Sequence, residues 1–286
     1  MQSYAKGQLV ATQRAVLQAA GAMETNLTAT SRAGTTLTAD VSANSKGAYV
    51  TLLTTSYNTY GIWIGVGGIN ASATDRGALL DIAYGAGPTI VIPNIDVGAA
   101  GPIGPTTNTP QGRRYYFPGL NIPSGNAIKA RFQCVTANQT CTIQIFTECR
   151  GRWGASGLVE NNWTAYGADT TASKGTSVPQ ASGGFGTWTQ IGTTSSDHNL
   201  WQVGFDQLAD VTMSAAGTLN VLIEIGVGPN SGAVTSMGFA WVHADSAEAI
   251  GSFSPVIPYP TTSGDLVWAR LASAETENRG IIMYGC

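Results

Sequence analysis

The chain has 286 residues, enough for two domains of ordinary size, and only 11% of them are Asp, Glu, Lys or Arg, against roughly 25% in an average soluble protein. Its 14 basic and 17 acidic residues leave a net charge of −3 and no basic stripe, and Arg113–Arg114 is the only adjacent basic pair, so nucleic acid is not an expected partner. With 36 glycines and abundant Ser and Thr the expected surface is neutral and hydroxyl-rich; charge helps to keep monomers apart in solution, so this composition suits a chain buried in an assembly.

The segment 1–34 differs from the rest. Met1–Lys6 leads into no apolar run of the kind a secretory signal needs, and no stretch of about 20 apolar residues follows anywhere. Synthesis in the cytosol without membrane insertion is the expectation. Leu9, Val16 and Met23 recur every seventh position, with Gln13, Ala20 and Leu27 on adjoining ones. This pattern predicts one helix over roughly 5–24 in an N-terminal arm, with too few heptads for a coiled coil.

From residue 35 the helical signal is replaced by short β-branched and aromatic runs broken by Gly, Pro, Asn and Ser. Examples are 49–53 (YVTLL), 61–66 (GIWIGV) and 142–146 (TIQIF). Their period-2 alternation marks strands with one buried face, and many such strands without helices predict an all-β sandwich or barrel.

The second half repeats the first at a spacing of about 140 residues. Residues 80–88 (LDIAYGAGP) line up with 221–229 (VLIEIGVGP), which sets Glu224 against Ala83. Residues 124–132 (SGNAIKARF) line up with 263–271 (SGDLVWARL), each preceded by a proline, Pro123 and Pro260. Ile62-Trp63 matches Leu200-Trp201, and Cys149 matches Cys286. Four ordered blocks at one spacing indicate an internal duplication, with domains at 35–150 and 176–286. The Gly/Ala/Thr-rich stretch 151–175 reads as a linker that packs through Trp153 and Trp163.

The first-domain sequence from Gly77 through Leu80-Asp81-Ile82 to Gly87, then Val91-Ile92-Pro93-Asn94, then 116–125 (YFPGLNIPSG), then Ile128-Lys129-Ala130-Arg131-Phe132, resembles a β-sandwich module of tailed-bacteriophage virion proteins. The likeness covers most of 47–150 and, more loosely, 186–286, where Phe253–Pro258 follows the pattern only in part. The resemblance implies a jelly-roll-like fold carried on a phage particle.

Residue types that carry chemistry are sparse. The two histidines, His198 and His243, occur only in the second repeat, without metal-ligand spacing, and read as surface or loop residues. The cysteines, Cys134, Cys141, Cys149 and Cys286, form no C-x-x-C pair. Cys134 and Cys141 can face each other across a hairpin, but cytosolic synthesis favours free, buried thiols. The N-x-S/T matches at Asn26, Asn70, Asn138 and Asn162 need a secretory route to matter. No nucleophile elbow or phosphate loop occurs; Gly65–Gly68 reads as a strand end. Glu148, Glu160, Asp206, Glu224 and Asp245 are the candidate carboxylates for glycosidase chemistry, and Glu224 reads as an outward strand residue. Trp63 and Trp201, at matching places, read as core. Trp188, Trp241 and Trp268 read as strand packing or, alternatively, a sugar-stacking face.

The expectation is therefore a non-enzymatic virion structural protein without catalytic residues, cofactor or metal. The favoured role is a capsid-decorating (cement) protein that binds the major capsid protein or other virion proteins and its own copies, with a trimer as the expected homo-oligomer. The alternative is a tail or head-fibre component that binds a host-surface glycan. The candidate interaction surface comprises Arg113, Arg114, Tyr115 and Tyr116, at the end of the Gly/Pro/Thr-rich loop 98–116, with Trp153 and Trp163.

Overall fold

In the computed structural model, the described residues are 23–28, 34–66, 77–97, 114–149, 162–168, 171–206, 219–245, 248–273 and 278–286. Every regular element among them is a strand. The helix expected over 5–24 lies almost wholly outside the described residues, and its last two positions are strand: Met23–Thr25 pairs antiparallel with Phe146–Glu148. Extended backbone is held there because the Thr147 hydroxyl accepts the Glu24 N–H at 3.1 Å, in register with the neighbouring ladder.

The first domain contains β1 (Met23–Thr25), β2 (Thr35–Thr38), β3 (Val50–Thr54), β4 (Thr59–Val66), β5 (Ala78–Tyr84), β6 (Thr89–Asp96), β7 (Arg114–Ile122), β8 (Ala127–Cys134) and β9 (Thr140–Glu148). One sheet runs β1/β2-β9-β4-β7 and the other β3-β8-β5-β6. The pairs are nested, first with last and innermost with innermost: β2 with β9, β3 with β8, β4 with β7, β5 with β6. A long hairpin rolled into two facing sheets in this way is a jelly roll. The break between β1 and β2 along β9 is bridged by Asn26. Its amide donates to the Ile143 carbonyl at 2.8 Å and accepts the Ile145 N–H at 2.9 Å.

The second domain contains β10 (Thr164–Tyr166), β11 (Thr176–Val178), β12 (Gln180–Ser182), β13 (Thr189–Thr193), β14 (His198–Asp206), β15 (Leu219–Val227), β16 (Thr235–Asp245), β17 (Glu248–Phe253), β18 (Ile257–Thr261), β19 (Leu266–Ser273) and β20 (Arg279–Gly285). Its sheets, β10/β11-β20-β14-β18 and β13-β19-β15-β16, repeat the first domain strand for strand, with β12 and β17 added. Thr164–Tyr166, within the stretch between the repeats, is thus the counterpart of Met23–Thr25: each is the first strand segment laid on the last strand of its domain.

The same turn is built twice. Thr55 N donates to the Asn126 carbonyl and Gly125 N to the Thr55 carbonyl; Thr194, Asp265 and Gly264 repeat both bonds. Ser124 N reaches the Asn58 carboxamide oxygen at 2.9 Å, and Ser263 N reaches the Asp197 carboxylate at 2.9 Å. Gly125 and Gly264 both hold positive φ, 80° and 96°, which a side chain would strain.

Register corrects the other sequence matches. Inward-facing Ile62 pairs with Thr147, and inward-facing Trp201 pairs with Gly285, so Ile62 corresponds to Trp201 and Trp63 to Gln202. Shifting a strand by one residue exchanges its faces. Trp63 is accordingly 45% exposed and not core, while Trp201 is fully buried. Cys286 likewise stands where the first domain has Glu148. Glu224, not Leu222, corresponds to Asp81, because each pairs with the arginine of its repeat, Arg270 and Arg131.

The domains share one face. On β20, Ile281 and Met283 enter the second core, whereas Ile282 and Tyr284 join the first. With both faces covered, every residue of β20 is buried. Tyr284 meets Phe117 edge-on at 5.6 Å and Tyr115 at 6.4 Å. Gln202 donates from Nε2 to the Tyr116 carbonyl at 2.5 Å. Trp163 donates its backbone N–H to Val91 and its indole N–H to Pro118, at 2.8 and 2.9 Å. The outer face of one second-domain sheet therefore rests on the β6–β7 flank of the first domain.

Candidate functional site

The motif residues behind the family resemblance converge on one ion-pair network. Asp81, whose side chain is fully buried, accepts from Lys46 Nζ at 2.8 and 2.7 Å and from Arg131 Nε at 2.7 Å. A bulge in β6 opposite Asp81 holds Pro93 and Asn94. Asn94 adopts φ 49°, a left-handed conformation that Asn tolerates well. Its N–H reaches Asp81 at 2.9 Å, and its side-chain oxygen accepts from Lys46 at 2.8 Å. A buried carboxylate is tolerable only when paired and hydrogen-bonded in this way. The arrangement holds strands together and offers no open carboxylate to a substrate.

The second domain repeats it in altered form. Arg270 contacts Glu224 at 2.6 Å and lies over the rings of Phe185 and Trp188, 4.6 and 4.4 Å from their centroids. In the first domain Arg131 lies over Tyr49 at 4.7 Å. Phe185 takes the place of Lys46: each makes the isolated bridge to β19 or β8 at matching positions, Ala272 and Gln133. An aromatic ring thus replaces the second cation.

The remaining candidate residues fall into three groups. Tyr115 and Trp163 are buried between the domains, 3% and 2% exposed, and so hold the domains together. Tyr116 stacks on Trp63 with centroids 4.3 Å apart, and its hydroxyl donates to Glu148. Arg113 and Trp153 lie outside the described residues; Arg114 begins β7. Among the other carboxylates, Glu160 lies outside the described residues, and Asp206 and Asp245 end strands β14 and β16.

His198 is a correction to the loop reading. It starts β14, is 2% exposed, and its Nε2 lies 2.5 Å from the Tyr166 hydroxyl. Tyr166 comes from β10, a strand the composition of 151–175 concealed. Burial lowers the imidazole pKa from its ordinary value, and the nearby Asp197 opposes that shift only in part. His243 lies on β16 opposite Gly251. None of the four cysteines forms a disulfide, and all are buried. Burial pushes the Cys141 thiol well above its ordinary range, with Cys134 adding to the effect. A thiol held protonated is a poor nucleophile. No group of three His, Cys, Asp or Glu suited to a metal occurs among the described residues.

Two sheet faces expose large apolar side chains. On the first domain, Met23 and Trp63 are 58% and 45% exposed. They line an open cavity of about 500 Å³ with Ile64, Gly65, Gln144 and Phe146. On the second, Leu222 and Trp241 form a cross-strand pair beside Phe239, and all three are exposed. Phe185 lies 6.3 Å from Phe239. Trp188 and Trp268 are mostly covered, the latter donating its indole N–H to the Gly228 carbonyl at 2.7 Å.

No protein-family model matches this sequence, and no curated protein matches it. Among solved structures, a chain from the Sulfolobus turreted icosahedral virus overlaps with a TM-score of 0.41 at 13% identity, covering 93% of this chain and 90% of that one. PNGase F, a glycosylasparaginase from Flavobacterium meningosepticum, overlaps with a TM-score of 0.37 at 8% identity, covering 88% of this chain and 95% of that one. A tandem CBM22 pair from Paenibacillus barcinonensis Xyn10C gives 0.26 at 11% identity, covering 93% and 92%. The jelly-roll assignment itself rests on strand order.

Proposed function

We propose that this chain is a virion structural protein without catalytic activity, a capsid-decorating protein that binds the shell and its own copies. The observation that carries the reading is the pairing of two domains packed through β20 with exposed apolar sheet faces in a chain of only 11% charged residues. Contiguous apolar surface marks contact sites with other proteins, and low charge does little to keep copies apart. The resemblance of 77–132 to phage virion modules points the same way. Its Asp81, Asn94 and Arg131 serve strand cohesion, as expected of a structural module.

The test is electron cryo-microscopy of particles carrying the protein, with symmetry imposed and then relaxed. Density in many copies at regular shell sites is the expected result. Density confined to the portal vertex or tail overturns the decorating role in favour of a fibre component.

The second reading, a tail or head-fibre module that binds a host-surface glycan, draws on Phe239 and Trp241. They project two residues apart from the same face of one strand, beside the Arg270–Glu224 pair. Aromatic rings at such spacing stack on sugar rings, and the ion pair supplies hydrogen-bonding groups. A glycan array reporting binding that Trp241→Ala abolishes is the result that favours it.

A further inference from the structure

The cavity on the first domain occupies the same surface, in jelly-roll terms, as the face with which the second domain grips the first. The register makes the correspondence residue by residue. Since Ile62–Thr147 matches Trp201–Gly285, Trp63 corresponds to Gln202, Gly65 to Gly204, Gln144 to Ile282 and Phe146 to Tyr284. Those four first-domain residues line the cavity. Their four counterparts lie between the domains: Ile282 and Tyr284 join the first core, Gln202 binds the Tyr116 carbonyl, and Gly204 has the Asp96 side chain against it. One fold has thus used a surface once within the chain, while its equal is left uncovered among the described residues.

We propose that a second copy of this chain docks in the Trp63 cavity, repeating between chains the contact made within one. The second copy's β6–β7 flank is already covered by its own second domain. The flank it contributes is therefore the topological counterpart, β16–β18 of its second domain, extended by β17. Where the intrachain contact has Gln202, the cavity presents Trp63. Tryptophan is enriched at the energetic centre of interfaces, and the stack on Tyr116, itself tied to Glu148, fixes the ring before a partner arrives. The contact joins different surfaces of the two copies, so it builds a ring when its rotation closes.

This inference rests on the assembly reading above only for the premise that copies associate. The test is light scattering on the full chain over a concentration series up to about 1 mM, comparing wild type with Trp63→Asp in the cavity, Trp241→Asp on the docking flank, and Val41→Asp as a control at an exposed residue outside both. The expected result is self-association weakened at least tenfold by Trp63→Asp, weakened also by Trp241→Asp, and unchanged by Val41→Asp. If Trp63→Asp lowers the melting temperature, Trp63→Ala, which removes the exposed ring without adding a charge, takes its place. Wild type that stays monomeric throughout, as when the chain's own N-terminal residues fill the cavity, overturns the proposal, as does association insensitive to both Trp63 variants. A chain that associates through Trp63 but is absent from particles overturns the virion reading and leaves the docking site standing.

Discussion

The Tyr284 hydroxyl accepts the backbone N–H of Asp96 at 2.7 Å, joining residues 188 positions apart across the domain boundary. The same hydroxyl donates to the Asn94 carbonyl at 3.2 Å. One phenol thereby satisfies two backbone groups on β6, which ends its sheet among the described residues. Tyr284→Phe keeps the ring packing and removes the acceptor, so it is expected to cost about 1–3 kcal/mol. Urea denaturation followed by tryptophan fluorescence measures this. Because β20 belongs to both cores, wild type should unfold in a single transition, and Tyr284→Ala should split it in two.

Asp81→Asn leaves Lys46 and Arg131 facing a neutral group. The carboxylate is fully buried, while the two cations keep 22% and 26% of their side-chain exposure and part of their hydration. The expected loss is about 3 kcal/mol, the low end for breaking a buried pair, and nearly insensitive to added salt. Glu224→Gln should cost less. Arg270 is 30% exposed and keeps its contacts with Phe185 and Trp188 when the carboxylate is gone. Comparing the two denaturation midpoints at low and high salt checks both the order and the salt response.

Trp201 and Trp63 carry opposite expectations despite their similar sequence settings. Trp201→Ala opens a cavity in the second core and should cost about 3–5 kcal/mol. Trp63→Ala removes an exposed ring and one stacked contact, so about 1 kcal/mol or less is expected. Thermal unfolding of the two variants separates them; a larger loss for Trp63→Ala means that the faces have been assigned the wrong way round.

That pair also shows what the sequence could carry. Alternation and turn residues suffice to read sandwich strands and a repeat, because period-2 burial and the Ser-Gly turn leave local traces. The one-residue offset between Trp63 and Trp201 leaves none: both neighbourhoods are apolar, and only the cross-strand partners Thr147 and Gly285 fix the face. The match of 80–88 to 221–229 failed for a similar reason. β15 has nine residues against seven in β5, and Gly-x-Gly-Pro slides along the longer strand without penalty in a sequence comparison. The two-sided burial of β20 left only an unbroken apolar run, Ile281-Ile282-Met283-Tyr284, whose second face is explained by a partner domain far away in the chain.

His198 gives stability a pH dependence whose sign follows from burial. Its folded pKa is lowered, so as pH falls below about 7 the unfolded chain takes up a proton before the folded one does. Stability is complete above the ordinary histidine value of 6.5 and declines as pH falls from there toward the folded value. The Tyr166 hydroxyl at 2.5 Å is suited to donate to the neutral ring, not to the cation. Melting temperatures between pH 7.5 and 5.5, above the range where carboxylates begin to titrate, should therefore fall for wild type and stay nearly level for His198→Gln. A wild-type decline that persists unchanged in His198→Gln would place the responsible proton on another group and remove His198 from the account.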